Sequence, residues 1–192
     1  MSSPLFARFA AGSSGVWAIE RVSPVRGESL PDAPRLAITD QRAAAPPENA
    51  AWVLKGVAGH VRYVNAAERT ALDAKQADLG RPAATCAALI PIRKTATWWD
   101  LAQDERRYIL EERSRHIRIG LEYLPAVARR LYHCRDLGEP FDFLTWFEYA
   151  PEHAEAFEEL VRRLRETEEW SYIEREVDIR LRRIDRIVGR EE

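Results

Sequence analysis

Cysteine, net charge and long apolar runs are all scarce in this sequence of 192 residues. Its two cysteines, Cys86 and Cys134, stand far apart and form no CxxC motif, which argues against a disulfide framework and a Cys-based metal site. The longest apolar stretch, AATCAALIPI, is about half the length of a membrane span. The N-terminal stretch MSSPLFARFAAGSSG lacks the uninterrupted apolar core of a signal peptide. We therefore expect a cytoplasmic protein with small, buried or half-buried cysteines and no membrane partner.

The charge balance argues against a further class of partner. The formal net charge is −2, from 29 basic and 31 acidic residues that are interspersed along the chain. Such a surface gives no electrostatic reason to expect nucleic acid as a partner. The apolar share of 46% is that of a globular chain, and the length fits one compact unit or two small fused ones.

Residues 100–124 are predicted to form a helix that carries a histidine. Asp100 can cap its N-terminus, apolar residues recur at helical spacing, and Pro125 should end it. His116 lies on this helix, and Gly120 follows one turn later. Because glycine has no side chain, the surface one turn beyond the imidazole should be open, and a flat ligand could approach there.

The other segments of the second half complete a recognisable order of elements. Residues 129–134 and the segment FDFLTWFEYA predict a hairpin, Pro151 suits the first position of a following helix, and REVDIRLRR alternates as a final strand. An apolar strand, AALIPIRKTATW, precedes them, and Pro91 would confine it to an edge or a bulge. The order strand, helix, strand, strand, helix, strand is that of a ferredoxin-like unit.

The first half predicts fewer elements. Alternation predicts strands at GVWAIERV and WVLKGVAGHVRYV, and a short strand at RLAIT within a proline-rich arm. Asn65 is predicted to cap a helix. Gly56 and Gly59 indicate a bulge or a close approach of two backbones. We therefore predict an α+β chain with a truncated ferredoxin-like half, residues 1–84, and a complete one, residues 85–192. A shortened half should need a partner subunit, so a homodimer is expected.

Five segments of the chain resemble the short, dimeric lineage of the chlorite dismutases. They are WWDLAQDERR, SRHI, YLPAVAR, LYHCRDLGEPFDFLTWFEYAPEHAEAFEELV and TEEW with REVDIRL. The resemblance implies a dimeric α+β barrel whose C-terminal βαββαβ unit binds haem b. It also implies an enzyme that converts the small anion chlorite to chloride and dioxygen.

The same resemblance assigns the two central residues. His116 would be the proximal iron ligand, and Arg129 would be the distal residue that holds the anion. A neutral imidazole on a helix can bind iron, and a guanidinium offers a charged, planar fork of donors to an oxyanion. Alternation along the strand puts Arg130 on the opposite face, so only one of the two arginines can enter a pocket.

Other residues are implied to surround the haem. Lys94 and Glu169 would form hydrogen bonds around the proximal histidine, although the sequence alone leaves Glu168 as an alternative to Glu169. A carboxylate that accepts from Nδ1 fixes the histidine tautomer and makes the ligand more basic. The remaining residues assigned to the haem surroundings are Trp98, Trp99 and Tyr63.

Plainer interpretations stay open for these residues. His116 could be a hydrogen-bonded structural residue, Arg129 a surface ion-pair partner, and the Trp pair core packing. His133 and Cys134 point to opposite faces of a strand, so joint ligation of one ion is not expected. No functional role is predicted for His60 or His153.

Two other functions are also compatible with the fold. One is a coproheme decarboxylase, against which a distal arginine argues, and the other is a non-catalytic dimer that binds haem or a small ligand.

Overall fold

The computed structural model describes residues 5–40, 45, 47–58 and 63–184, and strands among them close into an eight-stranded barrel. Neighbouring strands are antiparallel, in the order β1-β3-β2-β8-β5-β7-β6-β4. The strands are β1 (Leu5–Gly12), β2 (Trp17–Arg26), β3 (Arg35–Thr39), β4 (Trp52–Ala58), β5 (Cys86–Lys94), β6 (Ala128–His133), β7 (Phe143–Tyr149) and β8 (Ile173–Arg183).

Several helical segments connect the strands. They are α1 (Ala66–Lys75), α2 (Ala96–Asp100), α3 (Gln103–Arg107), a π-helical segment (Tyr108–Arg113), α4 (His116–Glu122) and α5 (Ala154–Arg165). Three 3₁₀ turns lie at Arg135–Leu137, Pro151–His153 and Glu168–Tyr172. The Asn65 cap of α1 is confirmed, because its side chain accepts from the backbone N–H of Glu68 and the Glu68 side chain returns the bond.

The second half follows the predicted order of strand, helix, strand, strand, helix, strand. The single helix predicted from Asp100 is wrong in detail, because Asp100 ends α2 instead of capping a helix. Thr95 caps α2, and Leu101 is extended, so the chain restarts at α3. A further break at Arg115, which has a left-handed φ of 53°, makes His116 the first residue of α4.

Strand β5 lies inside the sheet, between β7 and β8, so the edge position suggested by Pro91 is wrong. Its paired register with β8 skips Ile90 and Pro91, and the missing N–H is tolerated at that interruption. The close backbone approach predicted at Gly56 is confirmed, since a β-carbon there would lie 2.6 Å from Cβ of Tyr132. Gly59 and His60 lie outside the described residues.

The sheet separates two apolar clusters. The first fills the barrel and contains Phe9, Trp17, Leu54, Trp146 and Ile179 among others. The second lies between the outer face of the sheet and the helices, and it includes Ile119, Phe147, Phe157, Leu160 and Ile173. Strand β1 was not predicted, although Ala7, Phe9 and Ala11 alternate into the first cluster. The second cluster fixes α4 and α5 against the sheet.

Both cysteines are unpaired and buried, as predicted. Among the described residues, no helix has the length and apolarity that crossing a membrane requires.

Candidate functional site

A buried carboxylate lies between an imidazole and an ammonium group beneath α4. Glu169 Oε2 is 2.6 Å from His116 Nδ1, and Glu169 Oε1 accepts from Lys94 Nζ at 2.6 Å. Glu169 and Lys94 are each only 4% exposed. Burial alone raises the pKa of Glu169, but the charge of Lys94, the charge of His116 and hydrogen bonds from both hold that pKa far below its usual range. Glu169 is therefore a fixed anion that accepts from His116.

Three separate elements supply this triad. Lys94 is the last residue of β5, and its backbone N–H donates to Asp142 Oδ2 at 2.7 Å. Glu169 lies in the 3₁₀ turn that precedes β8, where its own N–H donates to Ser114 Oγ at 2.9 Å. His116 begins α4. Because each backbone is tied down beside its functional group, the three side chains meet in one geometry.

The choice between the two adjacent glutamates follows from their contacts. Glu168 points outward and accepts from Arg113 Nε at 2.9 Å, whereas Glu169 points inward to His116. A further carboxylate, Glu111, was not predicted; it is buried and accepts from the backbone N–H of Ile117 at 2.7 Å. Glu111 thus caps α4 from the π-helical segment, a spacing that no standard capping pattern contains.

Aromatic rings enclose the triad. Lys94 Nζ lies 4.3 Å from the ring centroid of Trp98, which in turn contacts Tyr63 and Tyr172 at centroid distances of 6.3 and 5.5 Å. Trp98 is 1% exposed, and its Nε1–H has no acceptor within the described part of the chain. On the other side, Trp170 lies nearly parallel to the His116 ring, with centroids 6.3 Å apart. Trp170 was not predicted as a site residue.

Trp99 does not join the triad. Its Nε1 donates to Asp142 Oδ2 at 3.2 Å, its ring stacks on Phe143 with centroids 6.0 Å apart, and the Arg135 guanidinium lies 4.1 Å from its centroid. Asp142 also accepts from the backbone of Lys94, so Trp99 is linked to the triad only through that carboxylate.

Arg129 meets the histidine helix one turn after His116. A β-carbon on Gly120 would lie 2.8 Å from Arg129 Nη1, so the guanidinium lies directly against this glycine. The surface predicted to be open at Gly120 is therefore covered by Arg129. Burial lowers the pKa of Arg129, and none of the carboxylates in the described ranges lies within ion-pair distance of it. Within the described residues, the guanidinium thus lies one turn along α4 from the histidine with no carboxylate partner.

His116 keeps one ring nitrogen for another partner. Nδ1 is engaged by Glu169, and Nε2 has no hydrogen-bond partner among the residues that the structure describes. The side chain is 23% exposed, so the ring is reachable. Among the same residues, no three or more His, Cys, Asp and Glu side chains cluster so that they could hold a metal ion.

Comparison with known proteins identifies the family. The family model described as chlorite dismutase matches residues 42–183, which is most of the chain. The chain belongs to the chlorite dismutase family. A crystal structure of dimeric chlorite dismutases from Nitrobacter winogradskyi is 62% identical, with a TM-score of 0.86, and the match covers 93% of this chain and 99% of that one.

More distant members match over shorter lengths. A chlorite dismutase from Candidatus Nitrospira defluvii, solved in complex with imidazole, is 30% identical with a TM-score of 0.58, over 71% of this chain and 56% of that one. The chlorite dismutase of Ideonella dechloratans is 40% identical over 62 residues, which are 32% of this chain and 20% of that protein. The match thus spans about a fifth of that curated relative.

Proposed function

We propose that the chain is a haem b enzyme that converts chlorite to chloride and dioxygen. One observation carries the proposal: a buried carboxylate anchors His116 at Nδ1, and the Arg129 guanidinium, which has no carboxylate partner among the described residues, packs against Gly120 one turn further along α4. Membership in the chlorite dismutase family and the dimeric relative from Nitrobacter winogradskyi support it.

The residues around His116 fit a haem. With Nδ1 held by Glu169, Nε2 is the nitrogen that would bind the iron, and the carboxylate makes the imidazole a stronger donor. Lys94 neutralises Glu169 and so keeps the proton on Nδ1 from moving fully to the carboxylate. The chemistry that haem b supplies when bound is oxygen-atom transfer at iron.

Arg129 would hold the substrate and its fragments. Chlorite is a small anion, and a guanidinium stays charged and presents a planar fork of donors to it. After the first Cl–O bond breaks, the same fork would keep the hypochlorite fragment in place. Holding that fragment would let both oxygen atoms of chlorite leave together as dioxygen and its chlorine leave as chloride, so all atoms of chlorite are accounted for.

The aromatic residues would shape the haem surroundings. Trp98 shields Lys94 from solvent and carries a buried N–H that lacks an acceptor among the described residues, which suits a polar group of a bound cofactor. Tyr63 packs edge-on against Trp98. Trp99 lies outside the triad and would support the haem surroundings through its hydrogen bond to Asp142.

We further infer the organisation behind this site. The element order of residues 85–192 supports a complete ferredoxin-like, haem-binding unit, and residues 1–84 would be its truncated counterpart. A homodimer is supported by the dimeric relative. The two buried, unpaired cysteines support a cytoplasmic location.

The decisive experiment measures chlorite-dependent oxygen at a Clark electrode with protein reconstituted with haem b. We expect rapid oxygen release by the wild type and by His153→Ala, a histidine at the start of α5, and loss of it in His116→Ala. No oxygen from fully haem-loaded wild type would overturn the proposal. Binding of coproheme in place of haem b, followed by its decarboxylation, would point to the alternative activity of the fold.

A further inference from the structure

Two consecutive residues of one 3₁₀ turn contact the imidazole of His116. Glu169 binds its edge at Nδ1, and the indole of Trp170 lies along its face, with ring planes 19° apart and centroids separated by 6.3 Å. A hydrogen bond at Nδ1 alone leaves the ring free to tilt about the axis of that bond. An offset, nearly parallel aromatic ring favours one orientation of its neighbour, so the indole favours one tilt of the imidazole.

The indole is itself held from its far side. Trp170 Nε1 donates to Glu176 Oε2 at 2.7 Å, and Glu176 is fully buried. The other oxygen, Glu176 Oε1, accepts from Arg165 Nε at 2.8 Å and from Arg165 Nη2 at 2.6 Å. With both oxygens engaged, the carboxylate cannot rotate without losing a charge-assisted hydrogen bond. The position of the indole is therefore fixed by Glu176.

Further ion pairs brace this carboxylate. Arg165 Nη2 also donates to Asp178 Oδ2 at 2.8 Å, and Arg180 donates to Asp178 and, at 2.6 Å, to Glu158 on the surface. Each buried charge in this row thus has a partner of opposite sign. Fully satisfied networks of this kind hold their members in one arrangement.

We propose that Trp170 and Glu176 are positioning residues for the proximal ligand. Glu176 holds the indole, and the indole sets the tilt of the His116 ring and so the direction of Nε2. The inference rests on the proposed function, since it concerns how His116 would meet a haem iron. It assigns a role to the buried charge cluster of α5 and β8, which the rest of the proposed mechanism does not use.

The test replaces Trp170 by Phe, which keeps an aromatic ring, removes the N–H donor and leaves the Glu176–Arg165 pair intact. The matched control is Trp52→Phe, because Trp52 Nε1 also donates one hydrogen bond, to the carbonyl of Pro31 at 3.0 Å, but lies in the barrel cluster. Resonance Raman spectra of the ferrous haem proteins report the iron–histidine stretch. Transfer of haem to an acceptor apoprotein reports its dissociation rate.

In Trp170→Phe we expect a shifted or broadened iron–histidine band and a haem dissociation rate raised about 10-fold, the size of effect typical for groups that orient a metal ligand. Trp52→Phe should match the wild type in both. Arg165→Lys keeps the charge but loses the paired hydrogen bonds to Glu176. It should change the iron–histidine band and the haem dissociation rate in the same direction as Trp170→Phe.

A wild-type band and dissociation rate in Trp170→Phe would overturn the inference, and so would equal changes in Trp52→Phe. If Trp170→Phe does not fold, Arg165→Lys decides in the same way. Absence of any iron–histidine band from haem-loaded wild type would overturn the proposed function itself, so the two failures are distinguishable.

Discussion

Gly120→Ala should separate activity from stability at this site. Gly120 lies inside α4, where its φ is an ordinary negative value, so alanine fits the backbone. A β-carbon there would lie 2.8 Å from Arg129 Nη1 and 3.1 Å from Cζ, against the 3.4 Å at which ordinary contact begins. The obstructing atoms are the end of a flexible side chain, so the guanidinium should move by several tenths of an ångström while the backbone stays.

The two energetic consequences have opposite signs. Alanine is favoured over glycine in a helix by about 0.8–1 kcal/mol, which offsets the cost of moving the guanidinium. The net change in the free energy of unfolding should stay within about 1 kcal/mol, which is roughly 2–4 °C in Tm for a chain of this size. A displaced anion-holding group is costlier for catalysis, since a misplacement of about 1 Å can lower the rate roughly 10²-fold. We expect kcat/KM for chlorite to fall by roughly 10–100-fold.

The assay pairs thermal unfolding with initial rates of oxygen release, for the wild type, Gly120→Ala, Arg129→Ala and the double variant. If alanine acts through the guanidinium, it should have little further effect once Arg129 is removed, and the double-mutant cycle reports that coupling. Unchanged kcat/KM in Gly120→Ala, or full additivity in the cycle, would refute the reasoning. A loss of stability above about 3 kcal/mol would show that the contact is rigid instead of flexible.

Three further predictions follow from the same geometry. Arg129→Ala should retain some initial oxygen release but inactivate after fewer turnovers, because the hypochlorite fragment escapes; unchanged total turnover would contradict the retaining role. Glu169 has a lowered folded-state pKa, so its contribution to stability is present above its unfolded pKa of about 4.3 and is lost as pH falls toward the folded value. Urea unfolding at several pH values should therefore give Lys94→Met a much lower free energy of unfolding than the wild type at pH 7, and a smaller difference in acid. A difference that does not change with pH would argue against the ion pair of Lys94 with Glu169. Arg115 is exposed with a φ of 53°, so Arg115→Gly should leave the free energy of unfolding unchanged or raise it by up to about 1 kcal/mol. Arg118→Gly, inside α4, should lower it by about 1 kcal/mol. Equal losses in both variants would contradict the strain assigned to Arg115.

Local patterns in the sequence predicted the elements that depend on local physics. The cap at Asn65, the close approach at Gly56 and the order of strands and helices in the second half all follow from capping, alternation and helical spacing. The resemblance to a family supplied the choice of His116 and Arg129, which composition alone would not single out. Both roles stay proposals, supported by the packing of Arg129 against Gly120, one turn along α4 from His116.

The features that were missed depend on tertiary contacts. The predicted long helix is broken in two ways. Thr95 caps the short helix α2, and Arg115 adopts a left-handed conformation directly before His116. No local propensity favours either feature over one long helix. Pro91 sits inside the sheet because the ladder with β8 is interrupted there, which alternation cannot show. Trp170 gains its place from a partner on the following strand, Glu176.

The burial of both thiols bears on how the protein withstands oxidants. Cys134 is fully buried, its Sγ lies 3.0 Å from the carbonyl of Phe141, and burial raises the pKa of its thiol well above the usual range. Cys86 is 7% exposed, and the only methionine is Met1. Oxidants attack the thiolate, so a buried, protonated thiol reacts slowly. Oxidative damage by chlorine species released at the site should therefore leave these two thiols until late.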